Sequence, residues 1–158
     1  MCAIVTDYIW VSDFTYLRCG TYFIYLTTIV DVHTRDVIGL NISRYHNQEL
    51  VLGALDHAIQ NLDHSPPAYL HSDQGSEYRS QAYVATAEAV GITISMSHKS
   101  SPWENAYQES FYSQIKMDLG DPNRFDSLGE LIVGINHTIH YYNTKRMHSK
   151  LKMPPTEF

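Results

Sequence analysis

Residues 22–32, read as Tyr-Phe-Ile-Tyr-Leu-Thr-Thr-Ile-Val-Asp-Val, are apolar or β-branched at almost every position. A strand with one face in water alternates polar and apolar residues; a run this continuous needs cover on both faces, which places it at the centre of a sheet sandwiched between helices. The neighbouring segments supply further strands. Residues 8–17 are β-branched or aromatic, and period-two alternation turns Ile9, Val11 and Asp13 to one side. A Cys19-Gly20 break separates this segment from the continuous run. A turn over residues 33–36 then leads into a third strand at 37–43, so the first part of the chain reads as an antiparallel meander.

Beyond it the period changes. Asn47 caps a helix whose Leu50, Val51, Ala54, Leu55, Ala58, Ile59 and Leu62 form a wide apolar stripe, closed by Ser65-Pro66-Pro67. Residues 69–75 read as a short buried strand ending in a Gly turn. A helix over 81–90 ended by Gly91, a strand over 92–96 and a polar loop over 98–102 come next. Apolar Tyr107, Phe111 and Ile115 recur at helical spacing within residues 103–119, Asp121-Pro122 breaks the chain, and Ser127-x-x-Glu130 forms a capping box for a last helix. Three strands, a helix, and then alternating strands and helices imply an α/β chain with a five-stranded mixed sheet flanked by helices. With 158 residues and 44% hydrophobic content, residues 1–158 are expected to form a single domain with a core of its own.

Composition narrows the setting. Cys2 and Cys19 have no paired spacing, so neither a disulfide framework nor a thiolate zinc site is expected. No run approaches the roughly 20 apolar residues of a membrane span, which leads to the expectation of a soluble, cytoplasmic protein with no membrane partner. The net charge of −6 argues against a general polyanion binder. Clustered carboxylates account for part of that charge, however, and Lys145, Arg146, Lys150 and Lys152 gather basic charge near the C-terminus.

Two acidic residues carry the chemistry of the second half. Asp73 lies at the C-terminal edge of the 69–75 strand, where open α/β sheets place ligand sites. Glu109 lies off the apolar stripe of its helix: at 100° per residue Asn105, Glu109, Tyr112 and Lys116 share a second face, bringing together an amide, a carboxylate, a phenol and an ammonium. Such a face suits a metal beside a phosphate backbone.

At this point the sequence resembles the catalytic core of bacterial insertion-sequence transposases in the retroviral-integrase, or Asp-Asp-Glu, superfamily. Trp10-Val11-Ser12-Asp13-Phe14-Thr15-Tyr16 looks like the family's first-aspartate strand, and His71-Ser72-Asp73-Gln74-Gly75-Ser76-x-Tyr78 looks like its second-aspartate motif. Glu104-Asn105-Ala106, then Glu109-Ser110-Phe111 and Lys116, is similar to its glutamate helix. Tyr142-Asn143-x-x-Arg146-x-His148-Ser149, with Pro154-Pro155 and Phe158, matches its C-terminal signature. Asp73 and Glu109 are separated by 35 residues, the family's usual spacing. Ser100-Ser101-Pro102, Glu104 and Glu77 depart from the common pattern, and none of them touches the three acids.

The resemblance implies a ribonuclease-H-like fold and a metal-dependent polynucleotidyl transferase, performing DNA cleavage and strand transfer. Asp13, Asp73 and Glu109 are the implied catalytic residues and metal ligands, holding two Mg²⁺ or Mn²⁺ ions. Carboxylates are natural ligands for these hard cations, and a pair of ions about 3.5–4 Å apart serves both the attacking and the leaving oxygen of phosphoryl transfer. Lys116, Asn105 and Arg146 are the candidate DNA contacts. The implied partners are DNA, as transposon ends and target, and a second copy of the chain in a homodimer; the implied setting is the bacterial nucleoid. Full-length relatives also carry an N-terminal helix-turn-helix region, expected to be missing from this chain.

Plainer readings stand beside these. Strand-end aspartates cap turns, helix glutamates are commonly solvated, and Lys116 is also readable as an ordinary surface lysine. Asn105 either orients a ligand or fills the first helical turn. His71 and His98 read as structural rather than catalytic, because hard-cation sites prefer oxygen. Glu77 reads as a solvated turn residue, Arg146 and His148 as a basic tail that packs or contacts DNA, and the tyrosines as core residues with a few left to stack on bases. Two other functions remain open: a non-catalytic DNA-binding or dimerisation remnant of a transposase, and a nuclease acting on RNA in hybrids.

Overall fold

A computed structural model describes residues 9–62, 65–96 and 102–157, and for 102–107 the backbone alone. The elements run β1 (Ile9–Cys19), β2 (Tyr22–Asp31), β3 (Val37–Ser43), α1 (Gln48–Gln60), β4 (Tyr69–Ser72), a 3₁₀ turn (Ser76–Arg79), α2 (Gln81–Ala89) and β5 (Thr93–Met96). Then follow α3 (Pro102–Leu119), a 3₁₀ turn (Pro122–Arg124), α4 (Leu128–Thr144) and a last 3₁₀ turn (Pro155–Glu157). The polar loop expected over 98–102 falls, up to residue 101, outside the described residues.

The five strands form one mixed sheet in the order β3-β2-β1-β4-β5. The first three are antiparallel neighbours, and β4 and β5 run parallel to β1. The central place belongs to β1, not to the continuous apolar run of β2 as its composition suggests, because the crossover through α1 returns the chain to the far side of β1. Even so, β2 is buried on both faces from Leu26 to Asp31.

Alternation along β1 and β2 divides the core in two. Leu17, Ile24, Leu26 and Val30 face α3 and α4, meeting Phe111, Ile115, Leu119, Leu131, Ile135 and Ile139. Trp10 and Ile29 face the other way, with Leu70, against Val51, Ala54, Leu55 and Ala58 of α1 and Tyr83 and Ala87 of α2. Gly39 sets the approach of α1 to the sheet: a Cβ there would lie 2.4 Å from the Ala54 carbonyl oxygen.

The caps follow the sequence. Asn47 Oδ1 accepts the Leu50 N–H at 3.1 Å, and Ser127 Oγ accepts the Glu130 N–H at 3.1 Å. The return bond of the capping box lands one residue early, however, with Glu130 Oε2 accepting from Asp126 N–H at 3.1 Å.

Candidate active site

The site lies where the sheet changes direction of pairing. β4 pairs with β1 only over Ile9–Val11, so β1 runs on beyond β4's end. Asp13 stands just past that point, paired across the sheet with Thr28 of β2. Asp73 follows β4 immediately, and its Oδ1 accepts the Gly75 N–H at 2.7 Å, which fixes the carboxylate over the turn. The two aspartates thus come from neighbouring parallel strands: Asp73 just past the C-terminal end of β4, and Asp13 midway along β1, where β4 stops covering it.

α3 closes the other side. Asp13, Glu109, Tyr112 and Lys116 line one cleft of about 490 Å³, with Phe14 in its wall. Burial raises the Asp13 carboxyl from 3.8 to about 7, the Phe14 backbone N–H opposes that rise, and the Asp73 charge adds to it. Asp73 is therefore within electrostatic reach of Asp13, although it is not itself part of the cleft lining. Partial burial also lowers the Lys116 ammonium from its ordinary value.

Tyr112 is buried. Its hydroxyl donates to the Asp13 carbonyl oxygen at 2.7 Å and lies 2.8 Å from Thr28 Oγ1, which serves as donor because the phenol's only proton is already committed. The helical wheel groups Tyr112 with Glu109 and Lys116, and all three line the cleft, but the phenol's hydroxyl is spent on hydrogen bonds to β1 and β2. Burial, reinforced by the Asp13 charge, pushes the phenol well above its ordinary range, so it stays protonated and works as a strut.

Glu77 departs from its reading as a solvated turn residue. Its Oε1 lies 3.2 Å from His46 Nε2, and its side chain is only 10% exposed. A Cβ on Gly75 would sit 2.5 Å from Glu77 Oε1 and 3.0 Å from Asp73 Oδ1, so this glycine lets the two carboxylates flank one turn. No local pattern announced the pair, because His46 and Glu77 are 31 positions apart. His71 has the structural role expected of it: its Nδ1 is 3.1 Å from Ser95 Oγ on the adjacent strand.

The remaining candidates disperse. Arg146 is ion-paired with Asp118 of α3, tying the end of α4 to that helix, and is not among the cleft residues. His98 and the side chain of Asn105 lie outside what the structure describes. Among the described residues, no three His, Cys, Asp or Glu stand close enough together to hold a metal ion. Asp13, Asp73 and Glu109 converge on one region without being closed into a ligand set. An oxygen-only donor set, one member buried and disfavoured as an anion, nevertheless fits a hard divalent cation.

A five-stranded mixed sheet with acidic residues midway along β1, just past β4 and on the helix packed across them defines a ribonuclease-H-like fold. The chain belongs to the integrase core domain family, whose model matches residues 6–102, while a second model of the same description matches 90–155. It is 37% identical over 144 residues to the transposase for insertion sequence element IS904 of Lactococcus lactis, covering 90% of this chain and 57% of that protein. It is 33% identical over 143 residues to a transposase-like protein of Haemophilus influenzae, covering 90% and 66%. The chain thus spans about half to two thirds of the length of the curated relatives it matches. Its fold is similar to the HTLV-2 integrase catalytic core domain solved in complex with magnesium in a trimeric form, at TM-score 0.77 and 18% identity over 99% of this chain and 98% of that one.

Among the described residues, no helix is long and apolar enough to cross a membrane.

Proposed function

We propose that this chain is the catalytic core of an insertion-sequence transposase, a single domain that cleaves DNA strands and joins them to a target with the help of divalent metal ions. The observation that carries the reading is the cleft shared by Asp13 and Glu109, with the Asp73 charge acting on Asp13 from the neighbouring strand. Asp13 of β1 and Glu109 of α3 thus share a cleft with Lys116, and Asp73 stands on the neighbouring strand within electrostatic reach of Asp13. The relatives' description as transposases, and the magnesium in the HTLV-2 structure, support the same reading.

Asp13, Asp73 and Glu109 are the side chains that would hold the ions. Once bound, Mg²⁺ or Mn²⁺ supplies charge neutralisation and lowers the pKa of coordinated water. The protein's own part is positional. β1 and β2 pairing, together with the Tyr112 strut, fixes the backbone at Asp13, and Lys116 presents an ammonium to a phosphate at the cleft. In the first reaction the water oxygen bonds to phosphorus as the P–O3′ bond breaks, leaving a 3′-hydroxyl. In the second, that hydroxyl attacks a phosphodiester of the target and displaces its 3′-oxygen. No covalent bond to the protein is needed. Joining two DNA ends calls for two such sites, so the working form is at least a pair of chains, a point that light scattering with and without end DNA tests.

Calorimetric Mn²⁺ titration of the wild type beside Asp13→Asn, Asp73→Asn and Glu109→Gln, with and without transposon-end DNA, tests the site. Binding that falls in all three variants supports it. The alternative reading is a non-catalytic DNA-binding or dimerisation remnant of a transposase. That alternative predicts no metal binding even with DNA present.

A further inference from the structure

The distal half of the β1–β2 hairpin has one face covered and one face bare. Leu17, Cys19 and Ile24 are buried against the α3–α4 side. On the opposite face α1 and α2 cover Trp10 and Ile29. β3 then ends at Ser43, opposite Tyr25, and the hairpin continues beyond it. The residues that emerge there are aromatic. Phe14 and Tyr16 of β1 and Phe23 and Tyr25 of β2 point the same way by register, since Phe14 faces Thr27, Tyr16 faces Tyr25 and Arg18 faces Phe23.

They form a ladder of rings. His46 meets Phe14 with centroids 4.1 Å apart and the rings tilted by 32°, and stacks on Tyr25 at 5.4 Å with an interplanar angle of 22°. Tyr16 lies 6.5 Å from Tyr25 and meets Phe23 edge-on at 5.3 Å. Burial falls away along the ladder: Phe14 is partly buried, whereas Tyr16 is 55% exposed and Phe23 43%. Large apolar rings left contiguous and wet mark a surface that something covers.

Two features identify the occupant. The first is continuity with the cleft. Phe14 belongs both to the cleft wall and to the ladder, and Lys116, also in the cleft, holds its ammonium 5.6 Å from the Tyr16 ring centroid. A chain leaving the cleft past Lys116 therefore meets Tyr16 and then Phe23. The second is charge. The exposed rings are flanked by two cations: Lys116, and Arg18, which stands opposite Phe23 in the register. The nearby Glu77 carboxylate is already engaged by His46. Flat rings interleaved with cations suit a polyanion carrying stackable bases.

We propose that the Phe14–His46–Tyr25–Tyr16–Phe23 ladder is a base-stacking platform, receiving the unpaired nucleotides of a DNA strand that leaves the cleft. The proposal rests on the DNA-processing reading of the cleft and specifies its substrate, a DNA end with a single-stranded or frayed segment. Stacking tolerates any base, because every base has a π-face, so the platform binds without sequence preference.

The test uses the 158-residue chain in EDTA, where binding does not depend on the carboxylates, and reads fluorescence anisotropy of an oligothymidylate of roughly eight nucleotides beside an abasic strand of the same length. The wild type is expected to bind the thymidylate at least about five-fold more tightly than the abasic strand. Tyr16→Ala and Phe23→Ala each remove about five-fold of thymidylate affinity, leave abasic binding unchanged, and keep the wild-type melting temperature because both rings are exposed. Tyr16→Trp restores the affinity. The platform is overturned if the wild type does not distinguish the two strands, if it fails to bind the thymidylate, or if either alanine variant binds it like the wild type. It is also overturned if the alanine variants instead dissociate a self-associated wild type, since the occupant is then a second copy of the chain. Mn²⁺ titration of Tyr16→Ala separates the two readings: the triad reports through metal and the platform through bases, so each can fail alone.

Discussion

Tyr112 of α3 donates its hydroxyl proton to the backbone carbonyl of Asp13 of β1 at 2.7 Å, joining positions 99 residues apart. With Thr28 Oγ1 2.8 Å from the same hydroxyl, one phenol locks the helix that carries Glu109 and Lys116 to both central antiparallel strands. The strut sits one helical turn from Glu109, so it sets the height of that carboxylate over the sheet. Cleft geometry therefore depends on a buried hydrogen bond as well as on the acids themselves.

Tyr112→Phe keeps the ring and removes the bridge. It leaves the Thr28 hydroxyl and the Asp13 carbonyl buried without their partner, at a cost of about 1–3 kcal/mol. Thermal unfolding is expected to show a melting temperature several degrees below wild type, and an unchanged melting temperature refutes the strut.

Asp13 stores the opposite kind of energy. Its carboxyl is pushed up to about 7 in the folded chain against an ordinary value of 3.8, mainly through burial, so the folded state holds the proton more tightly than the unfolded one. Metal-free stability should then fall as pH rises from about 4 to 7, with the full penalty present above that window. Asp13→Asn removes the charge and keeps the shape. At pH 8 its melting temperature in EDTA is expected to exceed the wild type's by roughly 5 °C or more, with the gap closing by pH 4. A variant no more stable than wild type at pH 8 counts against a strained carboxylate.

Local sequence chemistry specified much of this architecture. Strand β3 spans Val37–Ser43 as its alternation requires, and Asn47 and Ser127 cap α1 and α4 through the expected N–H groups. The meander of the first three strands and the mixed five-stranded sheet were legible for the same reason: periodicity and punctuation are short-range properties. Long-range relationships were not legible. The apolar density of β2 suggested the central place that β1 occupies, because strand order is decided by crossover connections and not by composition. The helical wheel placed Tyr112 beside Glu109 and Lys116 correctly by angle, yet it could not show that Thr28 and the Asp13 carbonyl wait at that ring's tip. The Glu77–His46 pair and the exposed ring ladder likewise depend on where the hairpin outruns β3, which no single segment encodes.

Gly39 is a packing requirement. A methyl group there would sit 2.4 Å from the Ala54 carbonyl oxygen and 2.9 Å from the Ala58 Cβ, and the first of these is backbone that cannot rotate away. Gly39→Ala therefore pushes α1 off β3 and is expected to cost about 1–3 kcal/mol. Urea unfolding that gives wild-type stability for this variant contradicts the close approach of helix and strand.

Asp36, in the β2–β3 turn, provides a second pH response away from the cleft. Burial raises its carboxyl from 3.8 to about 6, the Asp31 charge adds to the rise, and the Val37 N–H opposes it. Its Oδ1 is buried without a hydrogen-bond partner, so the ionised form is poorly compensated. Because the folded pKa lies above the unfolded one, the stability linked to this proton is present below about 4 and lost as pH rises to about 6. Asp36→Asn removes the proton linkage and retains the side-chain shape. Urea unfolding at intervals from pH 4 to 7 should give a wild-type stability that falls relative to the variant between pH 4 and 6, and a constant difference above. Parallel pH profiles for the two proteins would mean that Asp36 is well solvated and that its burial in the turn does not strain it.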